Sequence, residues 1–179
     1  MMSDPFAPFA PNEFRVKFAA SRWERESALA LRRAVFCDEQ GIFANDDRDG
    51  VDDYAVNIVA LSMLGVAADR VVGTVRIHEE APGLWWGSRL AVDADFRRVG
   101  AIGATLIRLA VSSAHAMGAH TFLAHVQAPN GLLFRQMHWE ILAEVELHGH
   151  PHLKMRANLS KYPPCRAPEV GYVALRKAA

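Results

Sequence analysis

Hydrophobic and polar residues along the chain follow two different periods, which predict strands and helices in turn. Near the start, Phe14, Val16 and Phe18 alternate with polar residues, as in a half-buried strand. Ser21 and Glu24 then form an S-x-x-E capping box, and the apolar residues behind it recur at helical spacing. The pattern therefore predicts that a strand and an amphipathic helix open the folded part of the chain.

The two periods continue after an acidic segment at residues 40–53, which we interpret as an ordered loop or a broken helix. Further strands are predicted at 55–64, 71–79, 84–92, 120–126, 141–147 and 153–159, with helices at 100–117 and 129–138. This order implies a single α/β domain of the α+β kind, with a mixed, mostly antiparallel sheet of about six to seven strands flanked by helices.

Both ends of the chain are rich in proline. Residues 1–13 and residues 161–179 each contain three prolines, so we expect a loose arm at the start and an irregular tail at the end. The folded domain is therefore expected to span residues 14–160.

Composition restricts the class of protein further. Among 179 residues, 20 Lys and Arg balance 20 Asp and Glu, which argues against a surface that neutralises nucleic-acid phosphates. No apolar run approaches the ~20 residues that a membrane helix needs, and the first residues lack the pattern of a secretory signal. Two cysteines, Cys37 and Cys165, do not make a disulfide framework or a zinc motif. We therefore expect a cytoplasmic protein with no nucleic-acid or membrane partner.

The connection between the strand at 84–92 and the next helix has the features of an anion site. The strand ends at Val92, a polar loop carries Arg97 and Arg98, and the helix opens with Gly-Ala-Ile-Gly at 100–103. Backbone N–H groups at a glycine-rich helix start favour negative charge, and arginines add charge-assisted contacts to phosphate oxygens. A tight strand–helix connection with two solvated arginines is the alternative that spacing alone leaves open.

These residues resemble a known family. Leu90-Ala91-Val92 followed by Arg98-Val99-Gly100-Ala101-Ile102-Gly103 is similar to the R/Q-x-x-G-x-G/A signature of the GNAT-type N-acetyltransferase superfamily, with Ala101 in place of the first glycine. The resemblance implies that backbone amides around Ile102 and Gly103 hold the diphosphate of acetyl-coenzyme A, while the end of the preceding strand holds the pantetheine and the acetyl carbonyl. The residues expected to contact this co-substrate are Leu90, Ala91, Val92, Arg97, Arg98, Val99, Gly100, Ala101, Ile102, Gly103, Ala104, Asn130 and Phe134.

Two further segments carry the resemblance. LRRAVFCDEQ is similar to the L-R-x-x-V-F-x-x-E-Q opening of one GNAT subgroup, and more distantly to acyl-homoserine-lactone synthases. APNGLLFRQMHW resembles the family's fourth-helix motif, N-x-x-A-x-x-F-Y-x-x-x-G-F, and Phe134 then stands where the family has a tyrosine. Phenylalanine cannot protonate a departing thiolate, so the usual general acid is missing or replaced. Asn130 keeps a co-substrate contact if this helix is shortened.

The resemblance implies an N-acetyltransferase that moves an acetyl or related acyl group from acyl-coenzyme A to a small amine, directly and within a ternary complex. The alternatives are acyl transfer of the acyl-homoserine-lactone-synthase kind and a non-catalytic module that binds acyl-coenzyme A. Glu39 and His125 are the candidate proton acceptors. The alternative for Glu39 is a surface or helix-capping carboxylate, and the alternative for His125 is a hydrogen-bonded structural histidine. We expect His78 and Glu79 to be exposed polar residues at the end of a strand rather than proton acceptors.

Two polar clusters remain. The acidic segment mimics the start of a calcium loop, but Val56 stands where a bidentate Glu is required. Asp47, Asp49, Asp52 and Asp53 therefore either cap and solvate the loop or face a cationic acceptor amine. Histidines 148, 150 and 152 coincide with a predicted turn and are interpreted as a hairpin tip rather than a metal site. No metal is expected, and a homodimer through the tail or the final strands stays an open alternative.

Overall fold

The structure, a computed structural model, describes residues 8–178. Most of the expected arm, residues 1–7, lies outside the described residues. The remainder of the arm, residues 8–12, carries neither helix nor strand. The first strand begins at Glu13, one residue before the predicted start of the domain.

Eight strands form one sheet within the described part of the chain. The strands are β1 Glu13–Phe18, β2 Val56–Leu64, β3 Ala67–Ala81, β4 Leu84–Val92, β5 Thr121–Gln127, β6 Trp139–Leu147, β7 His150–Ala157 and β8 Tyr172–Leu175. Their order across the sheet is β6-β7-β5-β4-β3-β2-β1-β8, and all neighbours are antiparallel except β4 and β5, which are parallel. The mixed, mostly antiparallel sheet is thus confirmed, with one strand more than expected.

In the described part of the chain, three α-helices flank the sheet: α1 Arg22–Arg33, α2 Gly100–Ala116 and α3 Gly131–Gln136. The predicted capping box starts α1, since the Glu24 amide donates to Ser21 Oγ at 3.1 Å and the Glu24 carboxylate accepts from the Ser21 amide at the same distance. Helix α1 runs directly into a π-helical turn at Ala34–Glu39, which we call the π turn. Such turns are rare and frequently occur at functional sites.

Successive residues of the central strand β2 belong alternately to two apolar clusters. Ile58 and Ala60 of β2 join a cluster with the buried side of α2, whereas Val59 and Leu61 join a second cluster with α1 and the π turn. Because successive side chains of a strand point to opposite faces, α1 and α2 cover opposite faces of the sheet. This three-layer arrangement fixes the start of α2 relative to the ends of the central strands.

The tail is more ordered than its composition predicts. Strand β8 pairs with β1 over Glu13↔Leu175 to Val16↔Tyr172, so the expectation of an irregular tail is wrong for these residues. Gly171 precedes β8 with a φ of +71°, and a Cβ there would lie 1.8 Å from the Val16 carbonyl oxygen. Only glycine permits this approach, which brings a short strand against the sheet edge.

The parallel strands β4 and β5 separate halfway along their length. Their register runs from Leu84↔Thr121 only as far as Gly87↔Ala124, although both strands continue beyond these residues. The separation coincides with a β-bulge in β4, where Arg89 and Leu90 together lie opposite Val75 of β3. A gap therefore opens between two central strands, next to the start of α2.

Candidate active site

The gap between β4 and β5 is the entrance to a cleft of about 780 Å³. Its walls come from the second half of β4, the first turn of α2, β5, α3, the π turn and the β6–β7 hairpin. The expected co-substrate residues that line it are Leu90, Ala91, Val92, Arg97, Val99, Gly100, Gly103, Asn130 and Phe134. Arg98, Ala101, Ile102 and Ala104 do not line it. Most of the predicted residues are therefore brought together in one cleft.

The backbone of β4 is exposed to the cleft at the bulge. Ala91 and Val92 have register partners in β3, whereas Leu90 has none in β3 or β5. The Val92 carbonyl oxygen also accepts a hydrogen bond from Arg97 Nε at 3.0 Å. Of the three strand residues expected to hold the pantetheine and the acetyl carbonyl, Leu90 is therefore the one whose backbone lacks a strand partner.

The amides at the start of α2 do not match the expectation in detail. The Ile102 amide already donates to the Val99 carbonyl at 3.0 Å, and the Ile102 side chain is fully buried. Gly103 is the fourth residue of the helix, beyond those whose amides lack an intrahelical acceptor. Among residues 8–178, the Gly100 and Ala101 amides have no backbone acceptor outside the helix. The donors free for an anion are therefore those of Gly100 and Ala101, whereas the expected diphosphate contact at Ile102 and Gly103 stays a prediction.

The glycines serve the cleft in a second way. A Cβ at Gly100 or at Gly103 would meet no heavy atom within 4 Å. Both residues line the cleft, so each missing side chain leaves open space beside the helix start. A diphosphate group can approach the backbone in such a cradle, as it does at other helix N-termini.

Glu39 and Arg97 form an ion pair instead of acting separately. Arg97 Nη1 donates to Glu39 Oε1 at 2.6 Å, and Nη2 donates to the other carboxylate oxygen. The hydrogen bonds from Arg97 hold the pKa of the Glu39 carboxyl below its usual range, and the carboxylate is exposed. Glu39 is therefore a weak proton acceptor, and its position favours a role in holding Arg97. Arg98 is exposed and does not line the cleft.

The aspartates of the acidic segment are paired with arginines of the protein itself. The members of this arginine–aspartate cluster are Arg32, Arg76, Arg89, Asp47, Asp49 and Asp52. Arg32 and Asp47 are each 1% exposed and lie 2.7 Å apart, and Arg32 also donates to both carboxylate oxygens of Asp52, at 2.7 and 3.0 Å. Asp47 is therefore neither solvated nor free to face an acceptor amine. Asp49, in contrast, is exposed and caps the turn at residues 50–53 by accepting from the Val51 amide, and Asp53 is exposed as well.

The remaining arginines complete the cluster. Arg76, 3% exposed, donates to both oxygens of Asp49 at 2.7 and 2.9 Å and lies 2.9 Å from Asp52. Burial raises the pKa of Asp52, but hydrogen bonds from Arg32, the Asp49 amide and Arg76 outweigh it, so this pKa lies well below its usual range. Three cations and three anions balance, which is the condition under which buried charges are tolerated. In the sequence, an arginine within the apolar strand VVGTVRIH was the available signal.

Arg89 connects the cluster to the bulge. This residue has a φ of +56°, which is rare for a residue with a side chain. Its Nη2 donates to the Asp47 carbonyl oxygen at 2.9 Å and its Nε donates to Asp47 Oδ2 at 3.0 Å. The guanidinium carbon lies 4.7 Å from the centre of the Phe43 ring. The acidic segment thus contacts β4 at the bulge, two residues after the pairing of β4 with β5 ends.

Two histidines flank Trp86 on one face of the sheet. His78 of β3 pairs in register with Trp86, and the His125 ring on β5 lies 4.9 Å from the Trp86 ring. All three side chains line the cleft. Burial, followed by the charges of Lys154 and His152, lowers the pKa of His125. The ring is only partly buried, so it still reaches the open space of the cleft. The lowered pKa favours the neutral imidazole, which is the form that accepts a proton.

His78 lies in the cleft rather than at an exposed strand end. It is half-buried, its Nδ1 is buried without a partner among the described residues, and burial followed by the charge of Arg76 lowers its pKa. Glu79, in contrast, is exposed and accepts from the Gly83 amide at 2.8 Å, in the turn before β4. The expectation of exposed polarity is therefore wrong for His78 and confirmed for Glu79.

The β6–β7 hairpin closes one side of the cleft. His148 and Gly149 form its tip with φ values of +52° and +75°, and the His148 ring lies 4.7 Å from that of Phe43. His152 is buried, and its Nδ1 lies 2.9 Å from the His150 carbonyl oxygen. Within residues 8–178, no group of three or more potential ligands is placed to hold a metal ion. The hairpin-tip interpretation is confirmed for His148, whereas His150 and His152 belong to strand β7.

Helix α3 lies opposite the start of α2. Phe134 is buried against Trp139, with ring centres 5.1 Å apart, and lines the cleft without a group that can donate a proton. The helix is shortened to Gly131–Gln136 and follows a 3₁₀ turn at Ala128–Asn130. Asn130 lies at this junction, is exposed and lines the cleft, as expected for a shortened helix.

The order of the strands, the separation of the parallel strands β4 and β5 and the glycine-rich start of α2 together define a class of fold. The sequence model of the acetyltransferase (GNAT) family matches residues 23–132, and the chain belongs to this family. It is accordingly an acyltransferase of the acyl-coenzyme A-dependent N-acetyltransferase type. No helix among residues 8–178 has both the length and the apolar character needed to cross a membrane.

Solved structures share the fold of this chain. A provisionally assigned N-acetyltransferase from Lactobacillus plantarum is 25% identical, with a TM-score of 0.72 over 82% of this chain and 98% of that chain. Escherichia coli ElaA is 20% identical, with a TM-score of 0.66 over 81% and 98%. FeeM, an N-acyl amino acid synthase from uncultured soil microbes, shares the fold at 13% identity, with a TM-score of 0.65 over 86% and 95%. No curated protein matches the chain.

Proposed function

We propose that the protein transfers an acetyl or related acyl group from acyl-coenzyme A to the amine of a small molecule, directly and within a ternary complex. The observation that carries this proposal is the separation of β4 and β5 after Gly87 and Ala124, directly beside the glycine cradle of α2. An extended pantetheine chain fits a gap between two strands because it can replace the missing strand contacts. The cradle then lies where the diphosphate of the same molecule is needed.

The chemistry of the residues in the cleft also supports coenzyme A as the co-substrate. The Gly100 and Ala101 amides supply donors at a helix N-terminus, where the helix dipole favours an anion. Arg97 adds a cation at the same end of the cleft, although Glu39 neutralises it in this structure. Asn130 supplies an amide on the opposite wall. We propose that these groups hold the co-substrate by its phosphates and its pantetheine.

Acyl transfer balances without a metal or a redox group. The amine nitrogen attacks the thioester carbonyl carbon, a C–N bond forms and the C–S bond breaks, and the products are an amide and coenzyme A thiol. The carbonyl oxygen becomes negative during attack, and backbone N–H groups at the bulge are placed to stabilise it. We propose the Leu90 amide for this task because Leu90 has no strand partner.

The acceptor amine must lose one proton before or during attack. We propose that His125 accepts it, since its lowered pKa favours the neutral imidazole and its side chain is exposed in the cleft. Phe134 cannot return a proton to the sulfur. A thiol with a pKa of about 8.5 leaves readily as thiolate, so the step proceeds without a dedicated acid. Binding and orientation alone contribute up to ~7–11 kcal/mol to such a reaction.

A thiol-release assay tests the proposal. Purified protein is incubated with acetyl-, hexanoyl- or dodecanoyl-coenzyme A and a panel of polyamines, amino acids and aminoglycosides, and the amide product is identified by mass spectrometry. Amine-dependent release with acetyl-coenzyme A supports the proposal. Release only with the long donors supports the signal-synthase alternative, and binding of coenzyme A without release supports the non-catalytic module.

A further inference from the structure

The conformation of Arg89 poses a physical question, because an arginine occupies a backbone position that normally selects glycine. A bulge whose first residue lies in the left-handed region usually carries glycine there, since a Cβ makes that conformation unfavourable. At φ +56°, Arg89 keeps this conformation in β4. Such strain persists only where surrounding contacts over-determine it, and it concentrates at functional sites.

The contacts that hold Arg89 come from one residue above all. Asp47 accepts from Arg89 three times, through its backbone oxygen at 2.9 and 3.2 Å and through Oδ2 at 3.0 Å. Asp49 Oδ2 adds a longer contact at 3.3 Å. Asp47 in turn is held by the buried Arg32 of α1, whose Nε donates to the same Oδ2 at 2.7 Å. The chain of contacts therefore runs from helix α1 through Asp47 to the bulge.

The bulge determines what the cleft can hold. Pairing between β4 and β5 stops at Gly87, two residues before Arg89, and Leu90 directly after Arg89 has no strand partner. If residue 89 left the left-handed region, the backbone of Leu90 would turn and its N–H would point elsewhere. Since the position of the thioester depends on this backbone, the conformation at residue 89 sets the geometry of acyl transfer.

We propose that Asp47 is a positioning residue, which acts through the Arg89 side chain to hold the β4 bulge in the conformation required for acyl transfer. This inference rests on the proposed function for its effect on turnover, but the effect on the backbone is independent of it. Asp47 does not line the cleft, so it acts without touching either substrate. The Arg89 guanidinium serves as the link between the acidic segment and the strand.

Three substitutions at residue 89 separate the backbone from the side chain. Arg89→Ala removes the link and leaves a Cβ at the left-handed position, so we expect kcat to fall on the order of 100-fold, as for a misplacement of about 1 Å. Arg89→Gly removes the link but favours the required conformation, so we expect it to retain kcat within about tenfold of the original protein. Arg89→Lys keeps the positive charge without the two-point contact, so we expect its kcat to lie between those of the alanine and glycine variants. Equal losses in the alanine and glycine variants would overturn the proposal, because they would show that the guanidinium itself acts on substrate.

Asp47→Asn tests the link from the other end. We expect it to lower kcat in the original protein but to have no further effect in the Arg89→Gly background, since the link is already absent there. Asp53→Asn, a substitution of an exposed aspartate in the same segment, is the matched control and is expected to change nothing. Additive effects of Asp47→Asn and Arg89→Gly on kcat would overturn the proposal. Circular dichroism melts of every variant identify any that fail to fold.

Hydrogen exchange of the segment Trp86–Val92, followed by mass spectrometry, gives a readout that needs no turnover. We expect faster exchange in Asp47→Asn and Arg89→Ala than in the original protein and in Asp53→Asn. Unchanged exchange in both variants would overturn the proposal even if turnover falls. If neither the original protein nor any variant shows turnover, but hydrogen exchange changes as expected, the proposed function fails and the structural role of Asp47 stands.

Discussion

Arg97 and Glu39 form a bidentate ion pair that joins the π turn to the loop before α2. The same guanidinium donates to the Val92 carbonyl oxygen at 3.0 Å, at the end of β4. A single side chain thus connects three parts of the cleft: the π turn, the separating strand and the approach to the glycine cradle. Two residues that were expected to act independently, one as a base and one on phosphate, therefore neutralise each other.

This pair predicts the behaviour of Glu39→Gln. Loss of the carboxylate frees the positive charge of Arg97 for the co-substrate phosphates, so we expect the KM for acyl-coenzyme A to fall by up to about fivefold, the range of an exposed ion pair. We expect kcat to stay unchanged, because both carboxylate oxygens of Glu39 already accept from Arg97 and these bonds lower its pKa. Steady-state kinetics at low salt measure both values.

Glu140→Gln is the control for this substitution, since Glu140 pairs with Arg156 on the exposed surface of β6 and β7. It is expected to leave both kinetic constants unchanged. If Glu39→Gln instead slowed turnover by about a hundredfold or more, Glu39 would be assigned as the general base.

His125→Gln is expected to slow turnover by about 10²–10⁴-fold, the usual contribution of a positioned base. The base must be neutral, and the neutral fraction of a histidine rises with pH through its pKa. Because burial and neighbouring cations lower the pKa of His125 below the ordinary value of about 6.5, kcat should rise with pH only below that value and then stay level. A pH–rate profile checks this, and the acidic limb should disappear in His125→Gln.

His120→Gln serves as the control, since His120 is exposed immediately before β5 and does not line the cleft. His78→Gln is the informative comparison, because His78 also lines the cleft with a lowered pKa. If the acidic limb disappears in His78→Gln and persists in His125→Gln, the base is His78.

Local patterns predicted the parts of the structure that local physics determines. Alternation located β1, and the capping box at Ser21 located the start of α1, because both signals arise within a few residues of one another. The Gly-Ala-Ile-Gly spacing identified the cradle, although the helical hydrogen bond of Ile102 moved the free amides toward Gly100. Strand β8 was missed because four residues in a proline-rich tail form a strand only by pairing with β1.

The arginine–aspartate cluster was missed for a related reason. Its contacts join residues far apart in the chain, such as Arg32 with Asp47, 15 residues on, and Arg89 with Asp47, 42 residues back. A run of aspartates therefore looks solvated until tertiary structure places arginines against it. The positive φ of Arg89 leaves no trace in the sequence, since only glycine would have indicated it.

Gly103→Leu tests the cradle without weakening the fold. A side chain there enters open space beside the helix start, so we expect coenzyme A binding to be lost. Leucine is a better helix former than glycine, which should raise the free energy of unfolding by about 0.5–1 kcal/mol. Calorimetric titration with coenzyme A and thermal melts measure the two effects in the same preparation.

Ala116→Leu, at the opposite end of α2, is the control for added bulk on this helix and is expected to bind coenzyme A normally. Unchanged affinity in Gly103→Leu would show that the space beside Gly103 is not the phosphate site. A lower melting temperature would show instead that the position is packed.

The acid stability of the protein is expected to depend on Asp52. Its folded-state pKa is depressed, so its contribution to stability is present above the unfolded pKa of about 3.9 and is lost as pH falls through the folded value. Asp52→Asn leaves the buried guanidinium groups of Arg32 and Arg76 short of one anion, which should lower the free energy of unfolding by about 3–5 kcal/mol at pH 7. The deficit should shrink as pH falls below about 3.9, because the Asp52 carboxyl of the unfolded chain then binds a proton that the folded protein, with its lowered pKa, does not yet bind. Denaturant unfolding between pH 7 and about pH 2 measures this difference in the free energy of unfolding. Asp53→Asn, at an exposed neighbouring residue, is the control. A deficit that stays constant over this pH range would mean that Asp52 contributes packing and not charge.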